Sequence, residues 1–192
     1  MKDNHLLIVG LGNSGKEYIN TRHNAGSDFI NLLSKDLDIS LNKDKYLLGK
    51  IGSKEFGTKK VSLFIPDGYM NNSGRSIKKL IKDFNLELSD LLIVHDELDL
   101  PLGTIKLKDS GGHGGHNGLR DIIERLGNRN EFKRLRIGID HPGKGKDVTD
   151  YVLKQPSKKD KEILTKKMNN SIESIIILIQ EGIDKATLNL HT

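Results

Sequence analysis

The chain has 192 residues, a length that fits one compact domain with its own hydrophobic core. It contains no cysteine, which excludes disulfides and thiolate metal sites and favours a protein of a reducing compartment. There are 31 Lys plus Arg against 26 Asp plus Glu, and this net charge of +5 is compatible with a polyanionic partner as well as with a merely solvated, lysine-rich surface.

The sequence predicts neither a targeting segment nor a membrane span. Met1 is followed within a few residues by a strand-like segment, so we expect no signal peptide. The longest apolar run, at residues 175–179, is far too short to cross a bilayer. We therefore expect a cytoplasmic protein.

Hydrophobic patterning predicts strands and helices that alternate along the chain. The predicted strands lie at residues 5–10, 46–53, 59–65, 91–94, 104–108 and 132–139, and the second and third form a hairpin. Amphipathic helices are predicted from near Asn24 to Leu37, at residues 77–84 and 119–126, and as a long helix at residues 158–180. We expect one domain over residues 1–192, a three-layer α/β/α fold with a mixed, twisted sheet.

A glycine-rich segment after the first strand matches the dinucleotide-binding pattern G-x-G-x-x-G at residues 10–15. In that fingerprint the helix begins within the glycines and directs its N–H groups at a pyrophosphate. Here no apolar helical stripe begins before Asn24, and no second strand ends in an acidic residue at the expected distance. We reject a dinucleotide site and interpret the glycines as a tight turn that exposes Asn13.

Five segments place unusual polar residues at the end of a strand or the start of a helix. They are Gly10-Leu-Gly-Asn13, Thr21-Arg-His-Asn-Ala-Gly26, Tyr69-Met-Asn-Asn-Ser-Gly74, His95-Asp-Glu-Leu-Asp-Leu-Pro101 and Gly111-Gly-His-Gly-Gly-His-Asn-Gly118. The chain lacks both cysteine and a Gly-x-Ser-x-Gly elbow, so a familiar covalent nucleophile is missing. Histidines, carboxylates and amides remain, an inventory that suits water activated by a general base, with amides holding a carbonyl.

In this order and spacing, the five segments resemble the motifs of the bacterial peptidyl-tRNA hydrolase family. The similarity continues through Arg134-Leu-Arg-Ile-Gly138 and His141-Pro-Gly143, and so covers nearly the whole chain. It implies an esterase that cleaves the bond between an N-blocked peptide and the 3′ ribose of tRNA. It also implies no cofactor, no metal and a monomer.

The resemblance assigns the central chemistry to a histidine and an aspartate. His23 matches the general base of the family, and an imidazole with a reference pKa of about 6.5 is available in its neutral form at cellular pH. Asp96 matches the residue that orients this histidine and stabilises its protonated form. From the residues alone, the alternative interpretation of His23 and Asp96 is a capping contact at a helix or turn.

Amides and aromatic residues are expected to hold the substrate. Asn13 resembles the residue that distinguishes N-blocked peptidyl-tRNA from free aminoacyl-tRNA, because an amide oxygen can accept the first peptide N–H. Asn71 and Asn117 match residues that bind near the ester and the tRNA end, although either is also a candidate helix cap. Tyr18 and Tyr69 match aromatic positions that contact the terminal nucleotide.

Basic residues on two strands match positions that grip acceptor-stem phosphates. They are Lys106, Lys108 and Arg136, and alternation places the two lysines on one face of a strand. Arg134 shares the face of Arg136. A solvated charged face remains an equal alternative.

The chain also departs from the family pattern at several loop positions. Ser14 stands where proline is usual, and we expect this to loosen the turn beside Asn13. Further departures are Ser27, Ile65, Asp67, Gly68 and Asp140. None of these is a proposed catalytic residue.

Two other classes of protein remain as alternatives. A metal-dependent hydrolase would require His95, Asp96, His113 and His116 to converge on zinc. A non-catalytic RNA-binding module would explain the basic charge, but not a histidine and an aspartate at separate strand ends. A turnover assay on peptidyl-tRNA distinguishes an enzyme from a non-catalytic RNA-binding module. Full activity after exhaustive chelation would exclude the metal-dependent hydrolase.

Overall fold

The computed structural model describes residues 4–190, which fold around one mixed sheet. The strands are β1 (His5–Gly10), β2 (Asn42–Asp44), β3 (Gly49–Phe56), β4 (Lys59–Pro66), β5 (Leu91–Glu97), β6 (Ile105–Lys108) and β7 (Lys133–Gly138). The helices are α1 (Ala25–Asp36), α2 (Ser73–Asp83), α3 (Asn117–Arg125), α4 (Val148–Leu153), α5 (Lys158–Glu181) and α6 (Ile183–Leu190). The limits predicted for the domain, residues 1 and 192, lie outside this part of the chain.

The strand order across the sheet is β2-β3-β4-β1-β5-β7-β6. Neighbouring strands among β4, β1, β5 and β7 are parallel, whereas β2, β3 and β6 run antiparallel to the strands beside them. The carboxyl ends of the four parallel strands therefore meet at one edge of the sheet. Loops at such an edge are where α/β proteins commonly bind ligands.

Alternating residues of β1 enter two separate hydrophobic cores, which explains its unbroken apolar run at residues 6–9. Leu6 and Ile8 pack with α1 and α5 on one side of the sheet. Leu7 and Val9 pack with α2 and α3 on the other. A strand buried on both faces cannot show polar alternation. The predicted α/β fold with helices on both faces of a mixed sheet is confirmed.

Several boundaries and small elements differ from the sequence predictions. The first strand of the hairpin was predicted at residues 46–53 but begins at Gly49, because residues 45–48 form turns in which Leu48 has a φ of 59°. The predictions also lacked β2, α4 and α6. The first is three polar residues long and the second six residues long, too short to show a hydrophobic period.

No helix within residues 4–190 is both long enough and apolar enough to cross a membrane. Helix α1 begins at Ala25, well beyond Gly15, and the glycine segment is followed directly by a single 3-10 turn at Lys16–Tyr18. This agrees with the rejection of a dinucleotide fingerprint.

Candidate active site

A cavity of about 490 Å³ lies at the carboxyl edge of the parallel strands. Its walls include seven residues that the sequence singled out, namely Asn13, Tyr18, His23, Tyr69, Asn71, Asp96 and Asn117. These residues come from the β1–α1 connection, the β4–α2 connection, the end of β5 and the start of α3, and the fold brings them together. The three basic candidates, Lys106, Lys108 and Arg136, do not line it.

His23 and Asp96 form a buried pair at the base of this cavity. Nδ1 of His23 lies 2.9 Å from Oδ1 and 3.0 Å from Oδ2 of Asp96. The two residues are 8% and 3% exposed. Burial alone opposes charge on the imidazole, but the attraction of Asp96 and its hydrogen bond outweigh this and raise the pKa of His23 above its usual value. Neither residue acts as the helix cap that was the alternative interpretation.

The approach of α1 to the strand ends depends on Gly26. A Cβ atom there would lie 2.2 Å from the carbonyl oxygen of Val94 on β5 and 2.7 Å from the backbone nitrogen of Leu11. Any side chain would therefore push the helix away from the sheet. Because His23 lies in the short 3-10 turn just before α1, this close packing brings its ring within reach of Asp96.

His116 is a second partner of Asp96, and sequence reasoning missed this role. Its Nε2 lies 2.9 Å from Oδ1 of Asp96. Its Nδ1 accepts hydrogen bonds from the backbone N–H groups of Gly118 and Leu119, so the ring caps helix α3. A ring nitrogen that accepts two N–H groups carries no proton, and the proton of the neutral ring must lie on Nε2. His116 therefore donates to Asp96.

The carboxylate of Asp96 is thus held by two imidazoles. Burial would raise the pKa of this carboxyl, but the charge attraction and hydrogen bonds of His23 and His116 together hold it well below its usual value. Asp96 is a fixed negative charge beneath His23.

His95 lies next to this trio but has no access to the cavity. It is 2% exposed, and burial lowers the pKa of its imidazole to about 3. Its Nδ1–H donates to the backbone carbonyl of Asp96 at 2.7 Å, and its ring stands edge-on to that of His116 at 5.1 Å. His95 is neutral and packs against the backbone of Asp96 and the ring of His116.

Asn13 is fastened on both sides. Its backbone N–H and C=O both bond to the side chain of Asn24, the residue after His23, at 2.8 and 3.0 Å. Its own Oδ1 accepts the backbone N–H of Met70 at 2.7 Å. An amide oxygen has two lone pairs, so Oδ1 can still accept a peptide N–H beside that of Met70, and this role stays a prediction. The Nδ2 group of Asn13 has no hydrogen-bond partner among residues 4–190 and can donate to a ligand.

The expected loosening of the loop at Ser14 is wrong. The backbone N–H of Ser14 donates to the carbonyl of Gly68 at 2.8 Å, and its Oγ accepts the N–H of Gly68 at 2.9 Å. A proline at this position would have neither the N–H nor the hydroxyl. Ser14 ties the loop of Asn13 to the segment that leads into Tyr69.

The remaining cavity candidates are accessible. Tyr69 is 63% exposed and stands edge-on to Tyr18, with ring centroids 6.3 Å apart at the rim. Asn71 and Asn117 are exposed, and neither caps a helix. Oδ1 of Asn117 accepts from Arg120 at 3.0 Å, which leaves its amide N–H₂ for a ligand.

The basic candidates lie beside the cavity on the outer strands. Lys106 and Lys108 are exposed on β6, in register with Arg136 and Arg134 of β7. Arg136 pairs with Glu97 of the cavity wall at 2.9 Å. Arg134 is 3% exposed and donates to the carbonyls of Gly111 and Gly112, so it anchors the glycine loop.

One wall of the cavity is apolar and was not predicted. It is formed by Leu98 together with Val148, Val152 and Leu153 of α4. Helix α4 is too short for a hydrophobic pattern to predict this wall. The cavity is therefore two-sided, with this apolar wall and a wall of amides and imidazoles.

Comparisons with known proteins identify the family of the chain. The family model described as peptidyl-tRNA hydrolase matches residues 7–192. A peptidyl-tRNA hydrolase of Haemophilus influenzae is 45% identical over 186 residues, covering 97% of this chain and 96% of that protein. One of Pasteurella multocida is 44% identical over 185 residues, covering 96% and 95%. The crystal structure of peptidyl-tRNA hydrolase from Acinetobacter baumannii superposes with a TM-score of 0.92 at 38% identity, covering 99% of this chain and 96% of that one. The chain belongs to the peptidyl-tRNA hydrolase family.

Proposed function

We propose that this protein hydrolyses the ester between an N-blocked peptide and the 3′ ribose of tRNA, releasing the peptide and a reusable tRNA. The observation that carries the proposal is the buried His23–Asp96 pair, at 2.9 Å, beneath a cavity of about 490 Å³. That volume lies in the range of about 300–1,000 Å³ usual for small-ligand sites. It suits the ester and the terminal nucleotide, not the whole tRNA.

In the proposed reaction His23 acts as general base and then as general acid. Its Nδ1–H donates to Asp96, which leaves Nε2 to take a proton from water. The resulting hydroxide attacks the ester carbonyl and forms a tetrahedral intermediate. When the bond to the ribose oxygen breaks, the imidazolium returns the proton to that oxygen. Asp96 stabilises the imidazolium between the two steps.

Amide groups orient the substrate in this scheme. The free Nδ2 of Asn13 donates to a carbonyl oxygen of the peptidyl ester, while Asn71 and Asn117 bind nearby atoms of the peptide and the ribose. Tyr18 and Tyr69 offer aromatic surface for the terminal base. Support comes from their common position around the cavity and from the exposure of Tyr69.

A metal-dependent hydrolase is disfavoured by the donors themselves. Within residues 4–190, the residues whose ligand atoms lie within 4.8 Å of one another are His23, Asp96 and His116, not the set that the sequence suggested. A metal on Nε2 of His116 would need the lone pair there, yet the lone pair lies on Nδ1, where two backbone N–H groups occupy it. Nδ1 of His23 is likewise committed to Asp96.

The experiment that tests this function is turnover of N-acetylaminoacyl-tRNA, followed by release of the acyl group. We expect cleavage of this substrate, little cleavage of free aminoacyl-tRNA, and full activity after exhaustive chelation. Binding without cleavage would support a non-catalytic RNA-binding module instead. Loss of activity on chelation, restored by zinc, would support the metal-dependent alternative.

We further propose that the enzyme works as a monomer in the cytoplasm. In support, one chain supplies every residue in the scheme, and the substrate is a product of translation. Sedimentation of the active protein at the mass of one chain, 21.5 kDa, is the expected result.

A further inference from the structure

Arg22 links the turn that carries His23 to the helix that forms the apolar wall. One guanidinium nitrogen, Nη1, lies 3.4 Å from the carbonyl oxygen of Tyr151, 3.3 Å from that of Lys154 and 3.2 Å from that of Gln155. These carbonyls belong to the last turn of α4 and the residues after it. A helix ends in carbonyls without intrahelical partners, and a cation is favoured there.

Further contacts join the same two segments. The backbone N–H of Arg22 donates to the carbonyl of Lys154 at 3.2 Å. The side-chain amide of Gln155 donates to the carbonyl of Ile19 at 2.9 Å. The guanidinium also lies over the ring of Tyr151, 4.1 Å from its centroid. The end of α4 is therefore held against the catalytic turn by several independent bonds.

Arg22 has few other tasks that explain so many contacts. Its side chain is 11% exposed, and the one carboxylate near it within residues 4–190, that of Asp160, is 4.0 Å away. A planar guanidinium can donate to these carbonyls and stack on the ring of Tyr151 at once, whereas a lysine ammonium has no planar face to stack. The geometry matches a clamp on α4 better than a surface ion pair.

We propose that Arg22 is a positioning residue for substrate binding, which holds the α4 wall of the cavity closed against the turn that carries His23. This inference rests on the proposed function. Val148, Val152 and Leu153 line the cavity with α4 in this position. Apparent affinity falls in proportion to the fraction of molecules in the binding-competent state, so an undocked wall raises KM. The proton transfer itself is untouched, because Arg22 contacts neither Asp96 nor the ring of His23.

The test compares Arg22→Met and Arg22→Lys with Arg129→Met, a control on an exposed arginine paired only with Glu131 among residues 4–190. For Arg22→Met we expect KM for N-acetylaminoacyl-tRNA to rise about tenfold with kcat within about threefold of wild type. Arg22→Lys should lie between, and Arg129→Met should match wild type. The acid limb of the pH–rate profile should stay in place in all three.

Hydrogen exchange provides a second readout that does not need activity. The amides of α4 should exchange faster in Arg22→Met, while those of α3 keep their wild-type rates. A fall in kcat at unchanged KM, a shifted pH profile or unchanged exchange in α4 would overturn the inference. If wild type fails to cleave the substrate, the proposed function fails, and the exchange experiment still decides whether Arg22 clamps α4. If Arg22→Met does not fold, Arg22→Lys decides by the same measurements.

Discussion

His116 donates its Nε2–H to Asp96 at 2.9 Å, and the backbone of helix α3 fixes the direction of that hydrogen bond. Because Nδ1 of His116 accepts two N–H groups, the ring cannot turn its lone pair toward the carboxylate. Asp96 thus shares its charge between the Nε2–H of His116 and the ring of His23, the proposed base. The N-terminus of helix α3 thereby influences His23, whose ring centroid lies 4.8 Å from that of His116.

Replacing His116 should separate its role as the N-cap of helix α3 from its hydrogen bond to Asp96. Asparagine is a good N-cap, so His116→Asn should keep α3 capped, whereas His116→Ala should lose about 1 kcal/mol more in the free energy of unfolding. Both variants remove a donor from Asp96, which strengthens its attraction for a proton on His23. The acid limb of kcat/KM should move to higher pH by less than about one unit. Urea unfolding and a pH–rate profile check the two effects; equal stability of the two variants would contradict the capping role.

Asp96→Asn should shift the same limb the other way. A base works when neutral, and the raised pKa of His23 means that activity of the wild type falls as the pH drops through a value above the usual one. Without the negative charge the pKa of His23 falls, and the limb moves to lower pH. The plateau rate should drop by about 100-fold or more, because the imidazolium loses its stabilising partner. The ratio of wild-type to Asp96→Asn activity should therefore decrease as the pH falls. An acid limb that stays in place would count against the orienting role of Asp96.

The double change Lys106→Ala and Lys108→Ala should affect binding of full tRNA and not the chemistry. Neither lysine lines the cavity, so KM should rise while kcat stays roughly unchanged. Each lost phosphate contact should flatten the slope of log affinity against log salt by about 0.7–0.9. Arg136 is left out of the test because its bond to Glu97 gives it a second role.

Two comparisons make this measurement specific. A minimal substrate with one or two nucleotides lacks the acceptor stem, so its KM should barely respond to the change. The variant Lys78→Ala with Lys82→Ala removes the same charge from the exposed face of α2 and should leave both substrates unaffected. If the Lys106 and Lys108 change raises KM for the minimal substrate as much as for full tRNA, these lysines are only a solvated face. The same conclusion follows if the Lys78 and Lys82 control raises KM for full tRNA as much as the Lys106 and Lys108 change does.

The sequence predicted the fold where burial imposes a period on it. The two-sided burial of β1 and the stripe of α1 produce patterns that local reading detects. Helix α4 is too short to show a pattern, and its end is stabilised by Arg22, a residue far away in sequence. Such long-range contacts leave no local signal.

Within the site, residue identity was easier to predict than hydrogen-bond direction. His23 and Asp96 were named from their motifs, and they are in contact. Oδ1 of Asn13 accepts the N–H of Met70 because of the way two loops meet in the fold. The sequence does not contain that geometry explicitly. The capping role of His116 was missed because histidine is not a favoured N-cap residue.

The most direct test of the central claim, that His23 activates the water, is the turnover of a folded His23→Ala protein with tRNA binding measured in parallel. A general base contributes about 10²–10⁴-fold, so kcat for N-acetylaminoacyl-tRNA should fall by at least about 100-fold. The Kd for tRNA should stay within about threefold of wild type, because the ring contacts Asp96 and not β6 or β7, which carry the residues proposed to bind phosphates. Near wild-type turnover by this variant, with its fold intact, would contradict the account.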